Sequence, residues 1–117
     1  MLDEAVYGQV YLATGCTDLR KSIDGLAVLV KERFKLDPFA DCLFVFCNRD
    51  RDKLKVLHWQ VNGFWLYYRR LERGKFEWPS SGNAVTSISR RELRWLLDGL
   101  SLKQRHAHSE VTARTVL

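Results

Sequence analysis

The sequence predicts a small α+β fold, in which an antiparallel β-meander of three to five strands packs against two α-helices. Two segments, roughly residues 22–35 and 89–100, place their apolar residues at helical spacing. Between them, an apolar run at 42–47 precedes two strand-like segments that meet at Asn62 and Gly63, a strong hairpin signal. The 117 residues suit one domain with one modest core.

The strands are predicted from short apolar or alternating runs bounded by turn signals. Thr14-Gly15 ends the first of them, and the charged residues 48–52 form a turn after the second. A proline after the last run is typical of an edge strand. The predicted strands are 9–13, 42–47, 53–61, 64–71 and a short edge strand at 75–79.

The two helices are predicted from apolar stripes and a capping signal. The first stripe has the i, i+3, i+4, i+7 spacing of one helix face, and consists of Ile23, Leu26, Ala27, Val30 and Phe34. Ser89 and Glu92 have the spacing of a capping box before the second stripe of leucines. The pattern fades after residue 101, so we expect one α+β domain over 1–102 and a mobile tail over 103–117.

Composition favours a polyanionic partner and disfavours several other classes. The net charge is +5 and the sequence pI is about 9.3. No run approaches the roughly 20 apolar residues of a membrane span, and the first residues lack the pattern of a signal peptide, so we expect a cytoplasmic protein without membrane contact. Cys16, Cys42 and Cys47 lack the spacing of a disulfide framework or a zinc site. We therefore expect neither a metal nor another cofactor.

The sequence offers no convergent catalytic group. Cys16 and Asp18 are close in sequence and Asp24 follows, but no histidine is placed near them. The glycines are isolated and form no phosphate-binding loop. The expectation is a protein without enzymatic activity and without a small-molecule substrate; the competing hypothesis is a cryptic site formed by Cys16, Asp18 and Asp24.

Basic residues concentrate around the predicted hairpin and at the start of the last helix. They are candidates for binding phosphates or acidic side chains, and the alternative is that they form a solvated rim. The candidates are Arg49, Arg51, Lys53, Arg69, Arg70, Arg73, Lys75, Arg90, Arg91 and Arg94.

Large aromatic residues fall on both faces of the hairpin. By strand parity Trp59 lies on one face of its strand with Lys55 and Leu57, while Trp65 and Tyr67 share a face of the next strand. One interpretation places Trp59, Trp65 and Tyr67 in the core beneath the helices. The other places them on a surface where they meet a partner.

Several ordered motifs resemble one known family. The segments 17–27, 43–46 and 53–59, the run from Gly63-Phe64 onward and, most distinctively, 70–79 (RLERGKFEWP) are similar to the orf2-encoded accessory proteins, also called TnpB, of the insertion sequence 66 family of bacterial transposable elements. The resemblance covers roughly residues 6–102. Ser22 stands where the family often has glycine, and Gln60 where an acidic residue often follows the tryptophan.

The resemblance implies a bacterial accessory factor of transposition that works beside a separate, larger transposase. It supplies no accepted site residues. We expect the protein to bind double-stranded DNA, the transposase and other proteins of the element, or both kinds of partner. The alternative is a pure protein–protein adaptor that makes no nucleic-acid contact.

Overall fold

The computed structural model describes residues 8–80 and 82–98, which form five strands and two helices. The elements in chain order are β1 (Gln9–Ala13), α1 (Ile23–Glu32), β2 (Cys42–Cys47), β3 (Lys53–Gln60), β4 (Gly63–Arg70), β5 (Val85–Ile88) and α2 (Arg90–Leu97). The strands make one sheet in the order β4-β3-β2-β1-β5. The predicted α+β class with two helices is confirmed.

The sheet is mixed rather than wholly antiparallel. β2, β3 and β4 form the predicted antiparallel meander, but β1 pairs parallel to β2 and β5 pairs antiparallel to β1. The physical reason is the connection through α1. A parallel pair needs a crossover that carries the chain back along the sheet, and a helix supplies it.

The last strand lies later in the chain than the sequence predicts. Residues 75–79 form no strand; Phe76 and Trp78 are instead buried against the sheet in an irregular segment. The fifth strand is Val85–Ile88, which the sequence analysis missed. Its two apolar residues, Val85 and Ile88, are three positions apart and give no alternating pattern, so pairing with β1 decides this strand.

The β3–β4 turn is shifted by one residue from its predicted position. Gln60 pairs with Gly63, so the two loop residues are Val61 and Asn62. Val61 is 91% exposed and has a φ of 57°, a left-handed conformation that β-branched residues rarely adopt. The predicted hairpin is therefore present, with an unfavourable residue at its tip.

The predicted helices are present with shorter limits. Ser89 caps α2 as predicted: its hydroxyl accepts a 3.0 Å bond from the Glu92 amide, and the Glu92 carboxylate accepts a 2.8 Å bond from the Ser89 amide. The predicted end of this helix, residues 99–100, and the predicted tail lie outside the described residues. The first helix ends three residues early, because Lys35 has a φ of 59° and the Leu36 amide bonds back to Val30.

Each face of the sheet is covered by one helix. α1 packs through Leu26 and Val30 on a cluster that includes Phe44, Phe46 and Leu57. On the other face, Leu93 and Leu96 of α2 pack with Phe76 and Trp78 on alternate residues of the same strands. The faces are called the α1 face and the α2 face below. No helix within residues 8–80 and 82–98 is long and apolar enough to cross a membrane.

Candidate functional site

The β2–β3 turn is held in place by Asn48. The Asn48 side-chain oxygen accepts bonds from the amides of Asp52 and Lys53, both at 3.1 Å, and its amide group donates to the Asp52 carboxylate at 2.8 Å. These bonds close a tight turn in which Arg51 has a φ of 62°. The exposed residues of the turn, Arg49, Asp50 and Arg51, project from a fixed backbone.

The segment after β4 is attached to the same turn. The Leu71 amide donates to the main-chain oxygen of Asp52 at 2.7 Å, and the Phe76 amide donates to the main-chain oxygen of Arg51 at 2.6 Å. The Lys75 ammonium donates to the main-chain oxygen of Asp50 at 2.8 Å. Residues 71–76 therefore lie directly against residues 50–52.

This attachment brings seven of the ten predicted site residues together. Lys53 pairs with Arg70 across the β3–β4 ladder, next to the attached segment. We call this cluster the basic end. Its members are Arg49, Arg51, Lys53, Arg69, Arg70, Arg73 and Lys75.

Asp50, Asp52 and Glu72 lie in the same segments as the seven cations of the basic end, and two of these cations form ion pairs within residues 8–80 and 82–98. Arg70 forms a 2.9 Å ion pair with Glu72, and Lys53 lies 3.7 Å from the Asp52 carboxylate. The other four arginines are exposed and form no ion pair within residues 8–80 and 82–98; they are Arg49, Arg51, Arg69 and Arg73. Exposed guanidinium groups of this kind can bind phosphates or carboxylates in the bidentate mode.

A cleft of about 820 Å³ opens beside the basic end on the α1 face. Its walls are the loop after β1, the β2–β3 turn, and the side chains of Lys53, Lys55 and Tyr68. The loop and the turn follow the carboxyl ends of the two parallel strands, the edge at which ligands bind in open parallel α/β sheets.

Lys55 fixes one wall of the cleft. Its ammonium donates to the main-chain oxygens of Leu19 at 2.7 Å and Lys21 at 3.2 Å. In the same loop, Asp18 accepts three side-chain bonds and one amide bond from Arg20. These hydrogen bonds hold the pKa of the Asp18 carboxyl well below its usual range. Asp18 is therefore an ionised partner of Arg20, poorly suited to act as a general acid or base.

Cys16 and Asp18, two of the three residues of the competing catalytic hypothesis, both line the cleft. Asp18 is committed to Arg20, and Asp24 lies in the first turn of α1, where a negative charge suits the helix dipole. In the part of the chain that the structure describes, no three His, Cys, Asp or Glu residues come together as a metal site would require. The absence of enzymatic activity stays a prediction.

The remaining three predicted site residues lie away from the basic end. Arg90, Arg91 and Arg94 border a depression of about 400 Å³ at the start of α2. The preceding Ile88 pairs with Val10, near the amino end of β1. The basic end lies beyond the carboxyl end of β2, which runs parallel to β1, so the two groups of arginines lie at opposite ends of these strands.

Among the residues that line the cleft, Arg20, Lys55 and Tyr68 have side chains suited to binding and were missed by sequence reasoning. Arg20 lies in the loop between β1 and α1, and the parallel pairing of β1 with β2 could have placed this loop beside the β2–β3 turn. Tyr68 pairs with Lys55 in the hairpin, on the face that strand parity predicts. That pairing could have added both to the site.

The hairpin aromatics divide between the two interpretations. Trp59 is half-buried and contacts Phe39 and Phe64 with ring centroids 5.0 Å away in both cases. Tyr67 is half-buried at the margin of the α2-face core, whereas Trp65 is 51% exposed. The core interpretation therefore fails for Trp65.

The fold and this site define a small α+β protein whose cations converge at one end of a mixed sheet. The chain belongs to the family described as IS66 Orf2 like protein, whose family model matches residues 8–107. Membership in this family gives the protein an accessory role associated with the transposition of an insertion sequence.

Two relatives come from Sinorhizobium fredii (strain NBRC 101917 / NGR234). The uncharacterized protein y4hO is 40% identical over 100 residues, covering 86% of this chain and 87% of the relative. The uncharacterized protein y4jC is 32% identical over 92 residues, covering 79% of each chain. No solved structure matches this chain at a significant level.

Proposed function

We propose that this protein is a non-catalytic accessory factor that acts beside a separate transposase and binds double-stranded DNA through its basic end. One observation carries the proposal. The attachment of residues 71–76 to the β2–β3 turn gathers cations from two distant parts of the sequence into one cluster.

The charge and exposure of this cluster suit a phosphate backbone. Four of its arginines are exposed and have no ion pair in the described part of the chain. Contacts between arginine and phosphate give affinity that depends strongly on salt and little on sequence. Such binding would position the protein on the element's DNA and leave the chemistry to the transposase.

The test measures binding to a duplex that carries the terminal repeat of the element. Fluorescence anisotropy gives the binding constant at each salt concentration of a series. The double variant Arg49→Gln/Arg73→Gln should weaken binding and reduce the slope of log K against log salt by about two. The matched control Lys31→Gln/Arg33→Gln removes the same charge from exposed residues at the end of α1. That end lies toward the amino ends of the parallel strands, so the control should retain wild-type binding.

Two results would reject DNA binding by the basic end. One is the absence of any complex at low salt. The other is an equal loss of affinity in the test and control variants, because a general effect of net charge would then explain the binding without a defined site.

The second candidate function is a protein adaptor that contacts acidic residues of the transposase. Arginine is enriched in protein–protein hot spots, and Arg69 and Arg73 are exposed without ion pairs within residues 8–80 and 82–98. A pull-down with the transposase, repeated after nuclease treatment, separates the candidates. Retention after nuclease treatment, with loss in Arg69→Gln/Arg73→Gln, would favour the adaptor; loss on nuclease treatment would count against it.

A further inference from the structure

The outer strand β4 carries a row of two aromatic residues and one arginine on the α2 face. Tyr67 pairs with Val56 and Arg69 pairs with Leu54, and both partners belong to the α2-face core. Trp65 shares their parity, so all three side chains project from the same side of the strand. We call Trp65, Tyr67 and Arg69 the β4 row.

The Trp65 ring is exposed, the Tyr67 ring is half-buried, and the two rings have a defined mutual orientation. Trp65 is 51% exposed, and its indole Nε1 donates a 3.0 Å hydrogen bond to the Gln60 side-chain oxygen. The Trp65 and Tyr67 rings are nearly parallel, at 14°, with centroids 6.1 Å apart. The Gln60 bond and the neighbouring ring restrict the indole, so little side-chain freedom is lost when a ligand stacks on it.

We propose that the β4 row binds an unpaired nucleic-acid strand, with bases stacked on Trp65 and Tyr67 and a phosphate bound by Arg69. Inside a duplex, neighbouring base pairs cover both faces of each base, so only an unpaired strand offers them to protein rings. Residues two apart on a strand are spaced by about 6.8 Å, roughly twice the 3.4 Å step of a duplex strand. The row therefore suits successive bases of a strand that are not stacked on one another.

Charge complementarity favours this occupant over an apolar peptide. The row ends at Arg69, which also belongs to the basic end, so a strand that leaves the rings would continue onto further cations. The continuation from Arg69 onto the basic end rests on the proposed function. The two rings themselves lie on the α2 face, whereas the cleft beside Tyr68 opens on the α1 face.

The test compares a labelled single strand of 20 thymidylates with a 20-base-pair duplex, using the full chain. Trp65→Leu should weaken binding of the single strand by about 5-fold or more, the range that one stacked base contributes, and leave duplex binding within about 2-fold. Trp65→Phe keeps a ring at the position and should restore most of the single-strand affinity. The control Phe39→Leu alters an equally exposed ring on the α1 face and should change neither.

Folding is monitored by circular dichroism, and Tyr67→Leu serves as the second variant if Trp65→Leu is unfolded. Unchanged single-strand affinity in the variants, or equal losses for the single strand and the duplex, would overturn the inference. Loss of a nuclease-resistant transposase complex in Trp65→Leu, with single-strand binding intact, would also overturn it and assign the row to a protein partner. Single-strand binding that depends on Trp65 in the absence of duplex binding would support the row and reject the duplex proposal.

Discussion

The indole Nε1 of Trp78 donates a 2.8 Å hydrogen bond to the main-chain oxygen of Ala13, the last residue of β1, in the buried interior. One residue later, the Pro79 oxygen accepts a 2.9 Å bond from the Gly15 amide. Together with buried Phe76, these bonds fasten the irregular segment after β4 to the opposite part of the sheet. The aromatic residues of the RLERGKFEWP signature are therefore structural, and its exposed cations are held in place by them.

Replacing the indole of Trp78 should destabilise the protein even when an aromatic ring remains. We expect Trp78→Phe to lower the free energy of unfolding by about 1–3 kcal/mol, through the lost hydrogen bond and the lost packing. Urea unfolding followed by circular dichroism measures the change. Trp65→Phe, at a half-exposed position, is the control and should cost less than about 1 kcal/mol. Equal losses in the two variants would contradict a structural role specific to Trp78.

The fold was predictable where local signals decide it. Helical spacing located both helices, the Ser89–Glu92 capping box is present, and the β3–β4 hairpin lies within one residue of its predicted position. The parallel pairing of β1 and the strand β5 were not predicted. Both depend on contacts between residues far apart in sequence, which local propensity does not predict.

The site shows the same division. The charged clusters around 49–53 and 69–75 were visible in the sequence, and the structure brings them together. The cleft wall formed by Arg20 and Lys55 was not visible, because it exists only when the loop after β1 lies beside the β2–β3 turn. The exposure of Trp65 also depends on where α2 lies, which the sequence pattern does not specify.

The turn residue Val61 offers a stabilising substitution. Val61→Asn should raise the free energy of unfolding by about 0.5–1 kcal/mol, because asparagine adopts the left-handed conformation more readily and the exposed side chain makes little packing. Thermal unfolding measures the gain. Val61→Ile retains the β-branch and serves as the control, with no gain expected. A lower melting temperature for Val61→Asn would contradict the unfavourable conformation at this turn.

The turn residue Asp52 should make stability depend on acid pH. The hydrogen bond from Asn48 lowers the pKa of the Asp52 carboxyl below its ordinary value of 3.8. The ionised form therefore favours the folded state. Its contribution is present above the ordinary value and is lost as the pH falls through the lower pKa of the folded protein. The free energy of unfolding should decrease from pH 5 to pH 2.

The substitution Asp52→Asn removes this titration while keeping the size of the side chain. Urea unfolding at several pH values should give a shallower decrease for the variant than for the wild type. Asp18→Asn, which removes the carboxylate bound by Arg20, should reduce the decrease independently, and the double variant should show the shallowest profile. A wild-type slope in Asp52→Asn would show that the Asn48 bond does not stabilise the ionised carboxylate.

The last prediction concerns Cys47, whose thiol should resist alkylation until the protein unfolds. Cys47 is buried at the end of β2, and this burial raises the pKa of its thiol to about 12. Alkylation requires the thiolate, so both access and ionisation oppose the reaction in the folded state. In a Cys16→Ser/Cys42→Ser background, iodoacetamide at pH 8 should modify Cys47 only as fast as the protein opens.

The rate of this modification should rise with urea and in the destabilised Trp78→Phe variant. Mass spectrometry of timed samples measures it. The control is the Cys42→Ser/Cys47→Ser variant, which retains Cys16. Cys16 is exposed beside the cleft and should react without unfolding. Rapid modification of Cys47 in native buffer, at a rate that urea does not change, would show that the end of β2 opens locally. The β2–β3 turn, which begins at the next residue and carries Arg49 and Arg51, would then lack the fixed backbone on which the basic end depends.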